Sequence, residues 1–561
     1  MTVRDRPEVV LTHHFFTALF DFGFLSDEGA EAFKRLLLGG LALAIAGGLL
    51  LMRLFMNKYG LLAGAPEDYA REVVADHAFL MALPMWVVAG AMALAGQSLF
   101  PNEVDFRILM AEPLSRRLIF AAKLAALLLF GGLFIAGTHL GLLPVAALTL
   151  IGSTSIGSAA STAMAFLASS LLASFFAAFA IVAIHGVVVL LAARHRLLAF
   201  SGVVRVVVIG GLVLVLPLVL RLPASADAFA AGAWWLVLAP PAWFAGLERW
   251  LLGDTASSML ALQATAATLA TVAIAVIAYV RLYRRFDRVT FQSAVRTTMP
   301  DWASSTNRRS PAAPVRHAVG RFVSLTIRRS VLHQGLVVGV LAGAGGLVLD
   351  SLLRANWRVD AAVDTELIWL LLWTPMTMMF VAVPAMRMAL SVPLDLRANW
   401  IFRMTEDVEG RAEIAAAGVR VVLALAVALP IALIAPLQWS TMGVASLAVQ
   451  IVEAAIGWLL VESLMANWRR VPFTCSYIPG KGFVPQMCVK AFAAYVTFTG
   501  ATGLALLASL RSLAVAIGLT ALVGGTAAIL RWRRARRARE MGLMFEDEMP
   551  ADVYPLRLYA D

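Results

Sequence analysis

Charge is what this chain has least of. Lysine and arginine number 46 and aspartate and glutamate 35 in 561 residues, together 14% of the sequence, where a soluble chain carries about 25%. With 61% hydrophobic residues and a mean hydropathy of +0.82, the polar residues are too few to cover an ordinary soluble globule. The formal net charge of +11 does not point to nucleic acid, and no nucleic-acid partner is expected. The arginines gather at the ends of apolar runs, as the positive-inside bias predicts. Cysteine is almost absent. Cys475 and Cys488 fall in one loop, their spacing matches no zinc pattern and no paired histidines follow. Neither a metal site nor, in a loop placed in the cytoplasm, a disulfide is expected.

Catalytic motifs are missing as well. A phosphate-binding loop needs Gly, four residues, then Gly-Lys-Ser/Thr. At Gly480-Lys481 the first Gly position is held by Cys475 and Gly482 follows the lysine, so the chain supplies no nucleotide hydrolysis by that route. No nucleophile elbow, HExxH or paired-carboxylate pattern occurs. Neither enzymatic activity nor a cofactor is expected. The first 34 residues hold acids and the His13–His14 pair with no small-residue cleavage site, so the first apolar run reads as a retained span and not as a cleaved signal.

What the chain has in abundance is apolar runs near 20 residues, long enough to cross a bilayer as helices. The reading is an all-α integral membrane protein of about 12 transmembrane helices, in a cell membrane (plasma or inner) and in contact with its lipids. Spans are expected near 36–55, 78–99, 118–140, 161–193, 202–221, 258–280, 331–353, 366–389, 414–436, 440–466, 488–509 and 512–531. Parts of residues 10–34 fit an amphipathic helix in the membrane interface. The acid-rich stretch 57–77, with Glu67, Asp68, Glu72 and Asp76, reads as an outer loop. The Trp-rich stretch around Pro240 and Pro241 reads as short interfacial or re-entrant helices on the same side. Residues 281–329 hold eleven arginines against two acids and read as a cytoplasmic linker ending in a second interfacial helix. An even number of spans puts both termini inside, and nearly every Arg-rich loop falls on that side.

Alignment of Pro101 with Pro393 brings spans 1, 2 and 3 onto spans 7, 8 and 9. The layout is therefore two parallel six-helix repeats: a first half over 1–280, the linker over 281–329, a second half over 330–531 and a cytoplasmic tail over 532–561. Each half carries a polar segment between its second and third spans. In the first, FPNEVDFRILMAEPLSRRLIFAAK from Phe100 to Lys123, Pro101 stands near a helix start, where its missing N–H costs nothing. Glu103 and Asp105 follow in the first turn, which suits the helix dipole, and Arg107 and Arg116 come after. In the second, Val392 to Glu406, Pro393, Asp395, Arg397 and Trp400 repeat the scheme. A short helix with anchors on one face is suited to docking in a partner's groove.

Titratable residues within the spans are few, and each is a functional suspect because charge in a bilayer is costly. Glu453 lies mid-span and is the candidate for proton coupling. Glu462 and Arg420 lie near the cytoplasmic ends of neighbouring spans, where an ion pair between them would account for both. His139 and His185 read as packed, hydrogen-bonded histidines.

Three features together resemble the membrane subunits of type-2 ATP-binding-cassette exporters. They are an interfacial helix before span 1, an acid-rich segment between spans 2 and 3 running into EPLSRRLIFAAK, and a Pro/Trp-rich outer region between spans 5 and 6, LAPPAWFAGLERWLLG. The resemblance implies a permease, here two units fused in one chain, coupled to a separate ATP-binding-cassette ATPase subunit through residues 101–117 and 393–406. The second half departs from the pattern: it lacks the long outer region, and RANWIFRMTE replaces Pro-Leu-Ser-Arg. The alternative is a proton-coupled secondary transporter of 12 spans, which needs Glu453 and no ATPase. A membrane enzyme or structural protein is the third class.

Overall fold

The computed structural model describes residues 7–19, 48–62, 64–95, 114–152, 156–191, 197–290, 312–354, 365–392, 402, 404, 408, 410–474 and 484–544. All its extended elements are helices. The chain divides into two compact units, Met1–Thr298 and Met299–Asp561, and the division falls inside the Arg-rich linker expected from the sequence.

The first unit contains α1 (Pro7–Ala18), α2 (48–62), α3 (Pro66–Leu94), α4 (Arg116–Leu148), α5 (Ile156–Leu191), α6 (Leu197–Leu220), α7 (Pro240–Leu251) and α8 (Ser258–Thr290). Local chemistry sets several of these boundaries. Pro66 opens α3 with Glu67 and Asp68 in its first turn, a good start for both the missing N–H and the dipole. Ser115 caps α4 by accepting a hydrogen bond from the Leu118 amide at 3.3 Å. Pro240 opens α7, so the Pro-Pro pair that reads as a break also reads as a start. Between α6 and α7 the chain turns through a 56° bend at Arg221 into a short helix, Ala226–Ala230, and then one turn of tight helix at Trp234–Leu238. The Trp-rich region is thus a set of short helices.

Helix α3 is the hub of this unit. It packs against α4, α5, α6 and α7, while α5 runs along α8. Phe79, Leu80, Met81, Val88, Ile119, Phe130 and Phe244 form the buried core. Helix α1 lies on α4 with Leu11 and Phe15 buried, and the Lys123 ammonium sits 4.5 Å over the Phe15 ring.

The second unit contains α9 (Ala312–Arg329), α10 (Val331–Arg354), α11 (Thr365–Leu390), α12 (Gly410–Met442), α13 (Ala445–Leu464), α14 (Val484–Arg511) and α15 (Leu513–Met541). Helix α12 carries a π-helical turn at Ala424–Ala428 directly before Pro430. A widened turn absorbs the carbonyl that a proline cannot bond. Here α11 is the hub, against α10, α12, α13 and α14, with α13 on α15 and α9 on α12. Its core is rich in methionine: Met376, Met379 and Met386 beside Leu372, Val422 and Val449.

Nine helices among the described residues are long and apolar enough to cross a membrane, or ten if the bent pair at Arg221 counts as one span. The expected span 7 coincides with α10, a helix of 24 residues that is not among those nine. Most of the expected span 1 and of the interfacial stretch after residue 19 lies outside the described residues. One boundary is corrected. Residues 66–77 are not loop but the first three turns of α3, and α2 reaches to residue 62. Two of the acids that suggest a loop, Glu72 and Asp76, are paired instead with a lysine on α2, as described below.

Helices pack without a hydrophobic driving force inside a bilayer, so close approach at small residues matters. At Gly457 on α13, an added Cβ would lie 2.5 Å from Val427 Cγ1 and 2.9 Å from Met379 Sδ. Gly457→Val is expected to cost about 1–3 kcal/mol of overpacking and to lower the thermal transition of the purified protein by several degrees. Gly525→Val, with nothing within 4 Å of the new Cβ, is expected to leave it in place.

Candidate functional site

The mid-span polar site suggested by Glu453 is present and has an unexpected partner. Gly443, at φ +57, reverses the chain between α12 and α13, a conformation that favours glycine. The reversal turns Gln438 toward Glu453. Both side chains are buried completely. Gln438 Nε2 donates to Glu453 Oε1 at 2.8 Å and to the Leu371 carbonyl at 3.2 Å. Among the described residues nothing donates to Glu453 Oε2 or to Gln438 Oε1. The pair is short of one hydrogen. A proton on the Glu453 carboxyl supplies it, and no basic side chain is there to stabilise the anion instead. A buried polar group without its partner is costly.

Glu462 and Arg420 do not pair with one another. Glu462 takes a two-point contact from Arg534 on α15, Nε to Oε2 at 3.0 Å and Nη2 to Oε1 at 3.2 Å, with both residues buried. Trp458 Nε1 adds a longer contact at 3.4 Å. Arg420 instead bonds Glu413, two turns earlier on its own helix, at 3.0 Å. Arg534 belongs to the basic run WRRARRAR, which reads from sequence as an exposed anchor. It reaches inward because α15 continues unbroken to Met541. Of the histidines, His139 bonds the Ile135 carbonyl and Ser170, and His185 bonds the Ile181 carbonyl.

Of the paired polar segments, Pro101, Glu103, Asp105, Arg107, Pro393, Asp395, Arg397 and Trp400 lie outside the described residues, and Arg116 is the first residue of α4. Residues 116–123 therefore belong to the long helix and not to a separate short one. Where the second segment begins, three elements converge. The Phe473 amide donates to the Leu390 carbonyl at 2.9 Å. His333 Nε2 on α10 donates to the Val392 carbonyl at 3.0 Å, while its Nδ1 accepts from Ser330 at 2.7 Å. Phe322 on α9 packs on both Phe402 and Phe473, and the His333 ring meets the edge of Phe473 at 4.5 Å. Phe473 is held at φ +67, strained for a side-chain-bearing residue. The start of the loop PFTCSYIPGKG thus has a definite place: it caps the end of α11. Residues 475–483 of that loop are outside the described residues.

The first unit holds a polar cluster that sequence reasoning missed. Asp76 and His77, both on α3, are buried. Asp76 Oδ2 accepts from Tyr59 Oη at 2.7 Å and lies 2.7 Å from Lys58 Nζ, which also reaches Glu72 at 2.9 Å. This set joins α2 to α3. His77 joins α3 to α7 and to the end of α4. Its Nδ1 meets Glu248 Oε1 at 2.6 Å and its Nε2 meets Thr149 Oγ1 at 2.8 Å. The Thr149 hydroxyl donates to the Ala146 carbonyl at 2.6 Å, so it can only accept from His77. Nε2 therefore carries hydrogen, and the contact between Nδ1 and the carboxyl must hold another proton. Tyr69 donates to the Thr149 carbonyl at 2.7 Å, and the Phe166 ring closes the far side of the imidazole at 4.7 Å. The local signal was the spacing of Tyr69, Glu72, Val73, Asp76 and His77, one helical face. The acids hid it by resembling a loop.

Chemically, the His77 cluster is a clamp and not a catalytic constellation. Its imidazole has no free edge, no nucleophile stands beside it, and among the described residues no group of three or more His, Cys, Asp or Glu is arranged to hold a metal. It fixes α7 to the bundle. His77→Ala leaves the buried Glu248 carboxyl without its imidazole partner, a cost of about 1–3 kcal/mol, while the Thr149 hydroxyl keeps its bond to the Ala146 carbonyl. The expected result is several-fold faster trypsin cleavage after Arg249 on α7. Glu248→Gln keeps a donor for Nδ1 and is expected to cleave at nearly the wild-type rate. An unchanged rate in His77→Ala would contradict the clamp.

No family model, curated protein or solved structure matches this chain.

Proposed function

We propose that this chain is the membrane-spanning permease of an ATP-driven exporter that works with a separate ATPase subunit. In this reading its two units are six-span halves inserted in one orientation, with both termini in the cytoplasm of a cell that carries it in its plasma or inner membrane. One observation carries the proposal. The same neighbour scheme recurs in both units: a leading helix on the third long helix (α1 on α4, α9 on α12), a hub helix before it (α3, α11), and the fourth long helix on the last (α5 on α8, α13 on α15). The two polar segments fall at the same place in that scheme, between hub and third helix. A duplicated unit with a duplicated polar segment fits an ATPase that works as a pair.

The mechanism follows from that layout. An ATPase dimer closing on nucleotide moves the two segments, Pro101–Arg116 and Pro393–Trp400, and each unit tilts as a body because its hub helix packs against several of the unit's other helices. At the second segment the Phe473 amide and His333 hold the backbone at Leu390 and Val392. Motion there is passed to α9, α10 and α11 together.

Co-expression with a candidate ATP-binding-cassette ATPase, sought first among the neighbouring genes, tests the reading. Wild type is expected to co-purify with it and to raise its ATP hydrolysis. Glu103→Arg combined with Asp395→Arg is expected to lose both by at least tenfold, without loss of the permease from the membrane. Equal association and stimulation would remove the coupling role from these segments.

The second reading, a proton-coupled transporter, is favoured by the donor shortage at Glu453 and Gln438. It is expected to show a pH-dependent thermal transition that Glu453→Gln abolishes, because the amide supplies the missing hydrogen at every pH, together with transport in vesicles lacking any ATPase. In the exporter reading Glu453 is packing alone, and Glu453→Gln leaves stimulation of the ATPase unchanged.

A further inference from the structure

In the first unit a cavity of about 170 Å³ opens between α3, α4, α5 and α8. Its wall is almost wholly apolar: Leu124, Leu128 and Ile135 from α4, Phe179 from α5, and Val276 and Tyr279 from α8. The Tyr279 hydroxyl is turned away from the cavity's needs, since it donates to the Phe120 carbonyl at 3.0 Å. The mouth is rimmed by large side chains that stay exposed: Leu124, Leu128, Phe175, Val276 and Val280 are all 40–52% accessible. In a membrane-embedded helix bundle such a surface meets hydrocarbon. Along α4 the lining runs from Leu124 to Ile135, about 16 Å at 1.5 Å per residue. That is about half of a ~30 Å hydrocarbon core, the depth of one acyl chain in one leaflet.

Charge marks one end of this cavity. Arg117 stands seven residues before Leu124 on the same stripe of α4, and Arg284 stands four residues after Val280 on the same stripe of α8. The bond between Tyr279 and Phe120 sets the two helices in register, so both arginines fall at the same end, Arg284 about one turn and Arg117 about two turns beyond the lining. Both are exposed, with Arg281 exposed beside them. Helix α4 carries no acidic residue, and α8 carries only Asp287. An apolar slot one leaflet deep with arginines at its polar end is complementary to a lipid with an anionic headgroup.

We infer that the cavity between α3, α4, α5 and α8 is a binding site for an anionic phospholipid, with one acyl chain in the slot between Leu124 and Ile135 and the phosphate at Arg117 and Arg284. The inference does not rest on the exporter reading. It concerns a lipid drawn from the leaflet at the end of the bundle where α4 begins.

The site can be closed without breaking the fold. Gly132 lines the cavity, and a Cβ there meets nothing within 4 Å, so Gly132→Leu fills the space. The experiment uses the full chain in nanodiscs containing a phosphatidylglycerol with a photoreactive acyl chain, with labelled peptides located by mass spectrometry. Labelling is expected on residues 124–135 and 275–280. It should be competed by unlabelled phosphatidylglycerol and be at least fivefold weaker for a phosphatidylcholine of the same chain. Gly132→Leu and Arg117→Gln plus Arg284→Gln are each expected to reduce it at least fivefold while the thermal transition is unchanged. Three results would overturn the inference. Labelling absent from these residues in the wild type would mean another protein surface covers the mouth. Equal labelling by the two lipids would remove the anionic headgroup. Labelling undiminished in Gly132→Leu would place the chain outside the cavity.

Discussion

A charge that leaves water must take its partner with it, and this protein is arranged around that constraint. In hydrocarbon a lone ionised group is far costlier than in water, and the chain meets the cost in three ways. Glu462 and Arg534 bury as a two-point ion pair that joins α13 to α15. Removing one member of such a pair typically costs about 3–5 kcal/mol, because the other is left buried and uncompensated. Asp76 shares Lys58 and Tyr59 on the neighbouring α2. Glu453 has no cation at all, and Gln438 meets it with one hydrogen too few. Each arrangement ties two helices that the apolar surface alone would leave free to slide, since lipid and leucine are equally apolar.

These polar ties differ between the two units, while the helix order does not. In the first unit they gather where α2 ends, α3 begins and α7 lies, and they hold a set of short helices that the second unit lacks. In the second unit they lie mid-span and at the junction of α13 with α15, and a loop takes over the end of α11 through Phe473. The common scheme of neighbours serves the proposed motion of two similar bodies. The differences make the bodies unequal. Among the described residues the first unit has the Pro/Trp helix, and the second has a buried carboxyl that meets an amide and no cation.

How much of this could be read in the sequence depends on the range of the interaction. Hydropathy is local, and the positions of α4, α5, α8, α11 and α15 follow the apolar runs closely. Proline is local too: the break at Pro240 is also the start of α7. The pairings are not local. His77 meets Glu248 across 171 positions and Glu462 meets Arg534 across 72, and no window of sequence holds both partners. Arg534 stands in a basic run whose other members are exposed, so composition assigns it to water. Glu72 and Asp76 add to the loop-like look of Glu67 and Asp68 for the same reason, because their cation, Lys58, belongs to another helix. The candidate site at Glu453 was legible because an acid inside an apolar run is conspicuous, but Gln438 was not, since a neutral amide near a helix end carries no such signal. The left-handed turn at Phe473 had no signal of any kind, because that conformation usually advertises itself with glycine.

The central claim is that both polar segments face the compartment that holds the ATPase. Single cysteines in a chain freed of Cys475 and Cys488 test it directly: Glu103→Cys and Asp395→Cys for the segments, and Asp254→Cys for the turn after α7. A maleimide that does not cross membranes is applied to intact cells and to inside-out vesicles. The account expects positions 103 and 395 to label only in inside-out vesicles and position 254 only in intact cells. Labelling of 103 and 395 from opposite sides would contradict it.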